Sequence, residues 1–586
     1  MRRRITRPRS LYRHALTCCL ACVATVSPPA FAGSADLDPT FAQAGRSLIP
    51  VSSSGGQAFA GALQPDEKLI LGGWAGDLPA GSSTVNRQLA LFRQFGNGSY
   101  DPAFGPSGNG ITTYDYFGGN DAIVDMAYTP QGIYGVGYGH VYGTRYQLLV
   151  RYTQAGALDP TFGTNGIVEL LLGSNDALNA LAIQADGKIV VGGSIQDPSG
   201  YHDFFVARFN ANGTPDTGFG TNGRVQLSAN HFFESVYDLV IQPNGRIVVV
   251  GDIVYNGVNS AYVQGLTPSG TRDFSFGTNG VTLVSRSSTD VYGRRLSLTS
   301  DGRIVVGSVG VEQPGFKSGI HVARLTANGL VDTTFNNGGS FDTFNLVGSR
   351  TVGAIEAVAD GSVVVAGGFP PLANGGVSVS YVARYTTNGV LDLAFNGVGY
   401  KFGDMIATSP LAASAEFISM LPDGRFYVGG YSGDQYLAPS YFHLLRYQGE
   451  PQNLRPDDNY LAPQYGVPRS TTIASESWTV SGLWPRGVYV PITVSGGLYS
   501  INGGPATSAQ GAVRNGDVIQ LIHTSSALYD TETTTTVSIG GLSPSNNRAN
   551  ILGARMTTTL TSVTGSSSGG PGGGPPGGSV PKGQVP

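Results

Sequence analysis

The fold of this chain is decided by three segments: LDPTFG at 158–163, DGKIVVGG at 186–193 and VARF at 206–209. They form one copy of a unit whose Asp-x-x-Phe anchor occurs seven times. Successive anchor aspartates lie 63, 58, 57, 57, 59 and 60 positions apart, and a fixed period of this size indicates a repeat architecture. The anchors are Asp38/Phe41, Asp101/Phe104, Asp159/Phe162, Asp216/Phe219, Asp273/Phe276, Asp332/Phe335 and Asp392/Phe395.

Each unit predicts four short strands joined by tight turns. In this copy Asn165-Gly166 and Asp186-Gly187 provide the left-handed backbone that such turns require. The predicted strands are 167–172, 179–184, 188–193 and 204–209, which we expect to form one small antiparallel sheet. Gly, Ser, Thr and Tyr are frequent and only 13% of the residues are charged, a composition typical of a turn-rich, all-β protein.

The third strand of the unit is apolar without interruption, as at 189–191, 247–249, 304–306 and 363–365. A strand of this kind is buried on both faces, so each sheet needs two neighbours. A ring of sheets gives every unit two neighbours, which predicts a seven-bladed β-propeller built from repeats of about 58 residues. An open β-solenoid is the alternative, and its shorter period fits the Asp-Gly hairpin less well. The N-terminal strand near Ser47 to Val51 is expected to complete the last blade.

The residues shared by all copies are interpreted as structural. The anchor Asp is expected to cap its own turn and the Phe to pack between adjacent sheets. An arginine lies eight positions before most anchors and is expected to bind the anchor Asp or backbone carbonyls. One copy has Gly265 at this position, and Arg272, directly before Asp273, is expected to replace the missing arginine.

These motifs resemble the delta-60 repeat family, and the resemblance covers residues 37 to about 447. It implies an exported bacterial β-propeller of unassigned function. The family brings no established catalytic residues to carry over. The copies with Gln131-Gly132, Asn244-Gly245 and Gly265 depart from the pattern.

The N-terminus predicts export. Six arginines precede an apolar stretch at 15–26, and Ala30-Phe31-Ala32 provides a small-x-small cleavage pattern, so residues 1–32 are predicted to be a signal peptide. Cleavage would remove all three cysteines and change the formal charge from −4 to −10, because Lys+Arg falls from 35 to 29 against 39 acidic residues. A secreted or periplasmic protein results, and nucleic acid is not an expected partner. No transmembrane segment is expected after cleavage.

The period ends after Tyr447. Residues 450–470 are predicted to be a linker and residues 471–561 a β-sandwich, because short strands alternate with Gly-rich turns. The stretch 494–504 with 515–518 resembles small immunoglobulin-like modules and implies a spacer or adhesive role. Residues 562–586 consist mainly of Ser, Gly and Pro and are predicted to be a disordered tail.

The sequence contains few candidate catalytic or ligand-binding residues. The acidic residues Asp121, Asp176, Glu234 and Asp290 precede the second strand of consecutive units. If that end faces the channel mouth, they would bind Ca²⁺ or a polar ligand. Capping of exposed strand ends is the alternative interpretation. The histidines lack metal-ligand spacing and are interpreted as core or edge residues.

The sequence therefore favours an exported, non-enzymatic binding or scaffolding protein with no cofactor other than possible Ca²⁺. Its expected partner is a glycan or a protein at the cell envelope, and the chain is expected to be a monomer. The alternative is a metal-dependent hydrolase or lactonase with a site in the propeller channel.

Overall fold

The computed structural model describes residues 34–565 except 78–84, 143, 171, 173–175, 228–233, 256, 314–316, 343–350, 370–378, 406–412, 422–423, 434–439, 450–458, 482–489, 510, 515 and 541–554. The predicted signal peptide, residues 450–458 of the predicted linker and residues 566–586 of the predicted tail lie outside this part of the chain. No helix in the described part is long and apolar enough to span a membrane.

The protein is all-β and propeller-like, with sheets of four antiparallel strands following one another along the chain. Sheet 1 contains β3 (Gly56–Leu63), β4 (Leu69–Asp77), β5 (Asn86–Gln94) and β6 (Ile111–Tyr114). Sheet 2 contains β7 (Ala122–Thr129), β8 (Gly132–Val141), β9 (Thr144–Tyr152) and β10 (Ile167–Leu170). Sheet 3 contains β11 (Ala177–Ile183), β12 (Ile189–Gln196), β13 (His202–Phe209) and β14 (Arg224–Leu227).

Three further sheets repeat this arrangement. Sheet 4 contains β15 (Asp238–Ile241), β16 (Ile247–Tyr255), β17 (Val258–Leu266) and β18 (Val281–Val284). Sheet 5 contains β19 (Thr289–Leu298), β20 (Ile304–Glu312), β21 (Lys317–Leu325) and, after a 3₁₀ turn at Asn336–Gly338, β22 (Ser340–Asp342). Sheet 6 contains β23 (Thr351–Ala357), β24 (Val363–Phe369), β25 (Val379–Tyr385) and β26 (Tyr400–Phe402).

Sheet 7 joins the two ends of this region. It contains β27 (Ala413–Met420), β28 (Phe426–Ser432) and β29 (Tyr441–Gly449) together with β1 (Ser34–Leu37) and β2 (Arg46–Ile49). Both N-terminal strands pair with β29, and β2 places Arg46 opposite Leu445. The structure therefore confirms the prediction that an N-terminal strand completes the last sheet.

The first strands of the seven sheets lie on the inside. They contact one another in chain order, β3, β7, β11, β15, β19, β23 and β27, and β27 also contacts β3. The sheets therefore follow one another in a circle. Buried aliphatic and aromatic side chains fill the space between neighbouring sheets, as with Leu178, Val191 and Phe205 between sheets 2 and 3.

The predicted grouping of strands was wrong by one strand. The strand after each anchor was expected to begin a sheet, but β10 pairs with β9 of the preceding sheet, with Ile167 opposite Val150. The reason is the anchor turn. The N–H of Asp159 donates to the carbonyl of Arg151 at 2.9 Å and the N–H of Arg151 donates to Gly166 at 2.9 Å, so the chain folds back on the strand that it has just left.

Each anchor Asp holds an arginine, as predicted. In sheet 3 the Arg208 guanidinium lies 2.7 Å from the Asp216 carboxylate, 4.6 Å from the Phe219 ring centroid, and donates to the Pro268 carbonyl of the next sheet. The seven ion pairs span 2.6–3.2 Å: Arg446–Asp38, Arg93–Asp101, Arg151–Asp159, Arg208–Asp216, Arg246–Asp273, Arg324–Asp332 and Arg384–Asp392.

The copy that contains Gly265 corrects a prediction. Arg272 was expected to replace the missing arginine, but Arg246 does so: its Nε lies 2.6 Å from Asp273 and its Nη1 donates to the Ala327 carbonyl of the next sheet at 3.0 Å. A Cβ on Gly265 would lie only 2.6 Å from the Phe276 ring. The guanidinium therefore comes from β16's entry turn, while Arg272 lies beside Phe274 at 5.8 Å.

Two buried histidines occupy equivalent positions in sheets 5 and 7. Burial, with Arg286 nearby, lowers the pKa of His321 to about 4, and burial, with Arg46 nearby, lowers the pKa of His443 to about 3. Neither ring nitrogen of His443 has a hydrogen-bond partner in the described part of the chain. Both side chains are therefore neutral in the folded protein at physiological pH.

The C-terminal region forms two facing sheets. One contains β30 (Gln464–Val467), β33 (Val490–Ser495), β35 (Gly511–Val513), β37 (Glu532–Gly540) and β38 (Arg555–Thr564). The other contains β31 (Thr472–Ala474), β32 (Trp478–Thr479), β34 (Leu498–Ile501) and β36 (Val518–Thr524). Their inner faces share one apolar core that includes Tyr499, Leu521 and Val537. Strand β38 extends to Thr564, into the segment predicted to be a tail.

We expect Arg151→Ala to lower the free energy of unfolding by about 3 kcal/mol, because removal of one partner leaves a poorly hydrated carboxylate without its counter-ion. Arg208→Ala should cost less, since Asp216 keeps a second cation, Lys188, at 2.9 Å. Chemical denaturation of both variants measures the difference. Equal losses, or no loss in Arg151→Ala, would contradict the proposed role of the ion pair.

The histidines predict acid sensitivity. Each histidine has a lower pKa in the folded state than the 6.5 of an unfolded chain. Below pH 6.5 the unfolded chain therefore binds protons that the folded protein does not, and the free energy of unfolding falls as the pH falls. At pH 5 each neutral histidine costs about 2 kcal/mol relative to pH 7. Thermal unfolding of His443→Leu should show a smaller loss between pH 7 and pH 5 than the unaltered protein. An identical pH dependence would show that His443 stays uncharged in the unfolded chain or is hydrated in the fold.

Candidate functional site

The inner strands share a local irregularity. In six of them the pairing with the second strand shifts by one residue, and the extra residue is Phe59, Val124, Asn179, Arg294, Gly353 or Glu416. Tyr237, directly before β15, is at the equivalent place in sheet 4. A β-bulge bends its strand and redirects a side chain. Because the bulges recur in six of the seven inner strands, they place unlike residues at equivalent positions around the circle.

All of these residues except Arg294 border one cavity, which lies where the inner strands of the sheets meet. Its polar lining comes from Asp125, Asn179, Tyr237, Asp238, Arg295 and Glu416, and Phe59 contributes an aromatic wall. The residues come from all seven sheets, since Gly353 of sheet 6 also borders the cavity. Repetition of the fold therefore brings carboxyl, guanidinium, amide, phenol and apolar groups from different sheets to one cavity.

Two aspartates of the cavity join adjacent sheets. Asp125 accepts the N–H of Met126 and the N–H of Leu181 in the next sheet, both at 2.8 Å. Asp238 accepts the N–H of Leu239 and the N–H of Leu296 in the next sheet at the same distance. Each carboxylate is thereby fixed at the cavity wall.

Arg294 leads from the cavity towards the second strand of sheet 4. Its guanidinium is 2.7 Å from Asp252 and lies over the Tyr237 ring at 4.2 Å and the Tyr292 ring at 5.6 Å. Burial raises the pKa of Asp252, and the charge of Arg294 opposes this effect. The same burial, with the charge of Asp252, raises the pKa of Tyr237.

Arg295 and Glu416 face the cavity as a second pair of ionisable groups. Arg295 donates to the Gly353 carbonyl at 2.6 Å and to the Arg294 carbonyl at 3.1 Å. Burial raises the pKa of Glu416, although a hydrogen bond from Ser414 and the charge of Arg295 oppose it. Burial and the charge of Glu416 raise the pKa of Tyr431 to about 12. Glu416 is thus a carboxyl group that retains its proton to a higher pH than usual.

The arrangement can perform acid–base chemistry. A carboxylic acid with a raised pKa is the usual proton donor of an enzyme working near neutral pH. Arg295 provides a fixed positive charge near it, and Asp125 and Asp238 provide further carboxylates in the same cavity. Phenol and amide groups of Tyr237 and Asn179 add hydrogen-bonding capacity.

The four acidic residues predicted from the sequence lie elsewhere. Asp121, Asp176 and Glu234 are fully buried at equivalent positions, three residues before Val124, Asn179 and Tyr237, respectively. Asp290 lies four positions before the bulge residue of its strand, Arg294, and is only partly buried. All four therefore lie at the ends of the inner strands and are absent from the residues that line the axial cavity.

Their hydrogen bonds show what these carboxylates do in the fold. Asp121 accepts the N–H groups of Tyr116 and His140, at 2.7 and 3.1 Å, and burial raises its pKa to about 7. Asp176 accepts the N–H of Gln196 at 2.6 Å, and burial raises its pKa.

Asp290 differs from these two. It accepts two hydrogen bonds from Asn259 and one from Gln313. Burial raises the pKa of Asp290, but these bonds more than offset that effect and lower its pKa. In the described part of the chain, no three His, Cys, Asp or Glu side chains are grouped as a metal ion requires.

Sequence reasoning missed the axial residues, although a signal for them exists. Each bulge residue lies seven positions before the first residue of the following hairpin turn, as Arg294 before Asp301 and Glu416 before Asp423. That column is the least uniform of the repeat. Its members attract no attention singly, and they become a set only when the strands are arranged in a circle.

Comparison with protein families supports the repeat. A family described as "Domain of unknown function (DUF5122) beta-propeller" matches residues 184–219, 242–276, 299–335 and 359–395. The matches lie in four of the repeated stretches and support a family of propeller repeats. No match was found among curated proteins.

Several solved structures are similar to this chain. One is the polysaccharide lyase Uly1, which is 12% identical over 68% of this chain and 89% of the lyase, with a TM-score of 0.33. A glucose dehydrogenase has 13% identity over 55% of this chain and 95% of the other, with a TM-score of 0.32. A thermostable family-43 glycoside hydrolase has 10% identity over 57% and 95%, with a TM-score of 0.29. At these values neither a substrate nor a reaction is transferred to this chain.

All three structures are enzymes, and this finding contradicts the prediction of a non-enzymatic binding or scaffolding protein. That prediction was wrong in its premise. It took the uniform residues of the repeat as a sign that few unique polar residues exist, whereas the bulges bring unlike polar side chains together on the axis.

Calorimetry tests the Ca²⁺ prediction for Asp121, Asp176, Glu234 and Asp290. Because backbone N–H groups occupy both carboxylate oxygens of Asp121 and one oxygen of Asp176, we expect titration of Ca²⁺ into metal-free protein to give no heat beyond dilution. A saturable heat that disappears in Asp176→Asn would instead establish the site.

Proposed function

We propose that this protein is an enzyme that cleaves a glycosidic bond at the axis of the ring, with Glu416 as the proton donor. The observation that carries the proposal is the convergence of unlike polar side chains on one cavity, among them a carboxyl group whose pKa is raised. Cleavage of a glycosidic bond needs such an acid to protonate the departing oxygen.

The other side chains support this role. Glycoside cleavage uses a second carboxyl group beside the acid, and Asp125 lines the same cavity in a fixed position. Arg295 donates to two carbonyl groups and has no carboxylate within ion-pair distance in the described residues. Its charge is therefore free to stabilise negative charge that develops on the substrate.

The lining residues of the cavity are of the kinds that bind sugars. Phe59 and Tyr237 offer aromatic faces, while Asn179 and the carboxylates offer partners for hydroxyl groups. Arg294 is held between Tyr237, Tyr292 and Asp252, which keeps the wall of the cavity rigid.

We also propose the finer architecture in which this site is placed. The seven sheets are the seven blades of one propeller of delta-60 type, with repeats of about 58 residues. Residues 471–561 form an immunoglobulin-like β-sandwich beside it. The chain is exported after cleavage following Ala32 and works as a monomer on glycans at or outside the cell envelope.

Replacement of Glu416 tests the proposed reaction. Wild-type protein is incubated with a panel of neutral and acidic polysaccharides, and new reducing ends are measured together with the absorbance of unsaturated sugars. These readouts separate hydrolysis from elimination. We expect Glu416→Gln to lower kcat/KM by about 10²–10⁴-fold, the usual contribution of a general acid, without a change in thermal stability.

The pH profile provides a second readout. Because the protonated form of Glu416 is needed, activity should fall as the pH rises above its pKa, and Glu416→Gln should lack this limb. Glu476→Gln, at an exposed position of the C-terminal region, is the matched control and should retain full activity. Full activity of Glu416→Gln would remove this residue from the mechanism, and absence of cleavage across the panel would overturn the proposed reaction.

A further inference from the structure

The first two sheets carry an unusual pair of arginines away from the axis. Arg87 and Arg145 each lie six positions before the arginine of the anchor ion pair, Arg93 and Arg151. Each is laid on an aromatic ring of the neighbouring strand, Arg87 over Trp74 at 4.3 Å and Arg145 over Tyr138 at 4.1 Å. The two rings are also equivalent, since each lies four positions after the residue paired with the anchor arginine.

Neither arginine has a carboxylate partner. No ion pair involving Arg87 or Arg145 occurs among the described residues, in contrast to the seven anchor arginines. The nearby acidic groups are engaged otherwise, since Asp77 accepts from Gln88 at 3.2 Å and Asp115 from Asn86 at 2.9 Å.

Arg145 shows the lack of a hydrogen-bonding partner more clearly than Arg87. It is partly buried, and its Nε is shielded from solvent without any hydrogen-bond partner in the described residues. Burial also lowers the pKa of this guanidinium. A partly buried cation without a counter-ion is costly, and an oxyanion that binds the guanidinium outside its shielded Nε would supply the missing counter-ion.

Exposed aromatic side chains accompany the two cations. Phe117 is 71% exposed and Tyr142 fully exposed, and both have left-handed backbones, with φ of 61° and 48°. This conformation is rare for bulky residues. Phe117 belongs to the loop whose Gly119 carbonyl accepts the N–H of Arg87, and Tyr142 lies three positions before Arg145.

We propose that this edge of sheets 1 and 2 is a second binding site, in which Arg87 and Arg145 hold the carboxylate or sulfate groups of an acidic polysaccharide. A planar guanidinium fixed on an aromatic ring binds such oxyanions with two parallel hydrogen bonds. The exposed rings of Phe117 and Tyr142 provide faces for the intervening sugars.

The arrangement selects against nucleic acid. Duplex DNA carries one charge per ~1.7 Å and needs a continuous basic surface, whereas these two cations are isolated in a chain with a formal charge of −4 that becomes −10 on cleavage after Ala32. A polymer with one acidic group per sugar, spaced by neutral ring surface, matches separate cations accompanied by exposed aromatic side chains.

Binding is measured by calorimetry on the Glu416→Gln protein, so that no substrate is consumed. The probes are polygalacturonate as a carboxylated chain, dextran sulfate as a sulfated chain and dextran as a neutral chain. We expect Arg145→Met to weaken binding of at least one acidic chain by roughly tenfold or more, since a charge-assisted hydrogen bond is lost. Dextran binding should not change. Arg145→Lys should restore part of the affinity, because it returns the charge but not the bidentate geometry.

Two controls separate binding from folding. Arg224→Met removes an exposed guanidinium that has no carboxylate partner in the described residues, and it should bind all probes like the parent protein. Arg145→Met should retain or raise the Tm, because an unpaired buried charge is removed, whereas Arg151→Met in the same strand should lower it. A fall in Tm for Arg145→Met, an unchanged affinity, or no binding of either acidic chain would overturn the site.

The inference rests on the proposed function only in treating the bound chain as the substrate. Binding of an acidic chain without cleavage by the wild-type protein would leave the site standing and remove the enzyme proposal. Cleavage of a neutral chain without binding of the acidic chains would leave the enzyme proposal standing and remove the second binding site.

Discussion

The structure depends on one interaction, the contact between a buried arginine and the Asp of the anchor turn. The arginine fixes three elements at once. It neutralises the carboxylate, covers the face of the anchor Phe and donates to a carbonyl of the next sheet, as Arg151 does with Asp159, Phe162 and Ala211. In the described part of the chain, six of the seven arginines donate such a bond to the neighbouring sheet. This directed bond adds to apolar packing, which has no direction of its own.

The same interaction explains how the ring closes. The first anchor, Asp38, belongs to the N-terminus but pairs with Arg446 and Arg425 of the last sheet. Burial would raise the pKa of Asp38, but hydrogen bonds from Thr40 and Arg425 and the charge of Arg446 lower it to about 2. The two ends of the ring are thus held by strand pairing and by an ion pair that persists into acid. The copy with Gly265 shows that the guanidinium, rather than its position in the sequence, is what the fold requires.

This framework leaves the inner strands free to differ. Six of them carry a bulge at the same place in the repeat, and residues at or beside these bulges line the axial cavity. The result is a cavity with an acid, a guanidinium and fixed carboxylates, each from a different sheet. The outer edge of sheets 1 and 2 uses the same freedom for Arg87 and Arg145. In both places the proposed functional residues occupy positions at which the repeats differ in sequence.

Much of the architecture follows from sequence because it is local or periodic. The spacing of the anchors, the turn chemistry of Asn165-Gly166 and the uninterrupted apolar strands predicted an all-β array of small sheets, since backbone preferences and two-sided burial are set by residues close in the chain. Pairing of Arg208 with Asp216 followed from their constant separation. Only the tertiary structure decided that the strand after the anchor belongs to the preceding sheet and that Arg246 provides the guanidinium in the copy with Gly265. It also decided that Glu416 and Arg295 line the same cavity. These facts depend on contacts between residues far apart in sequence, where closure of the ring, and no local preference, determines which side chains meet.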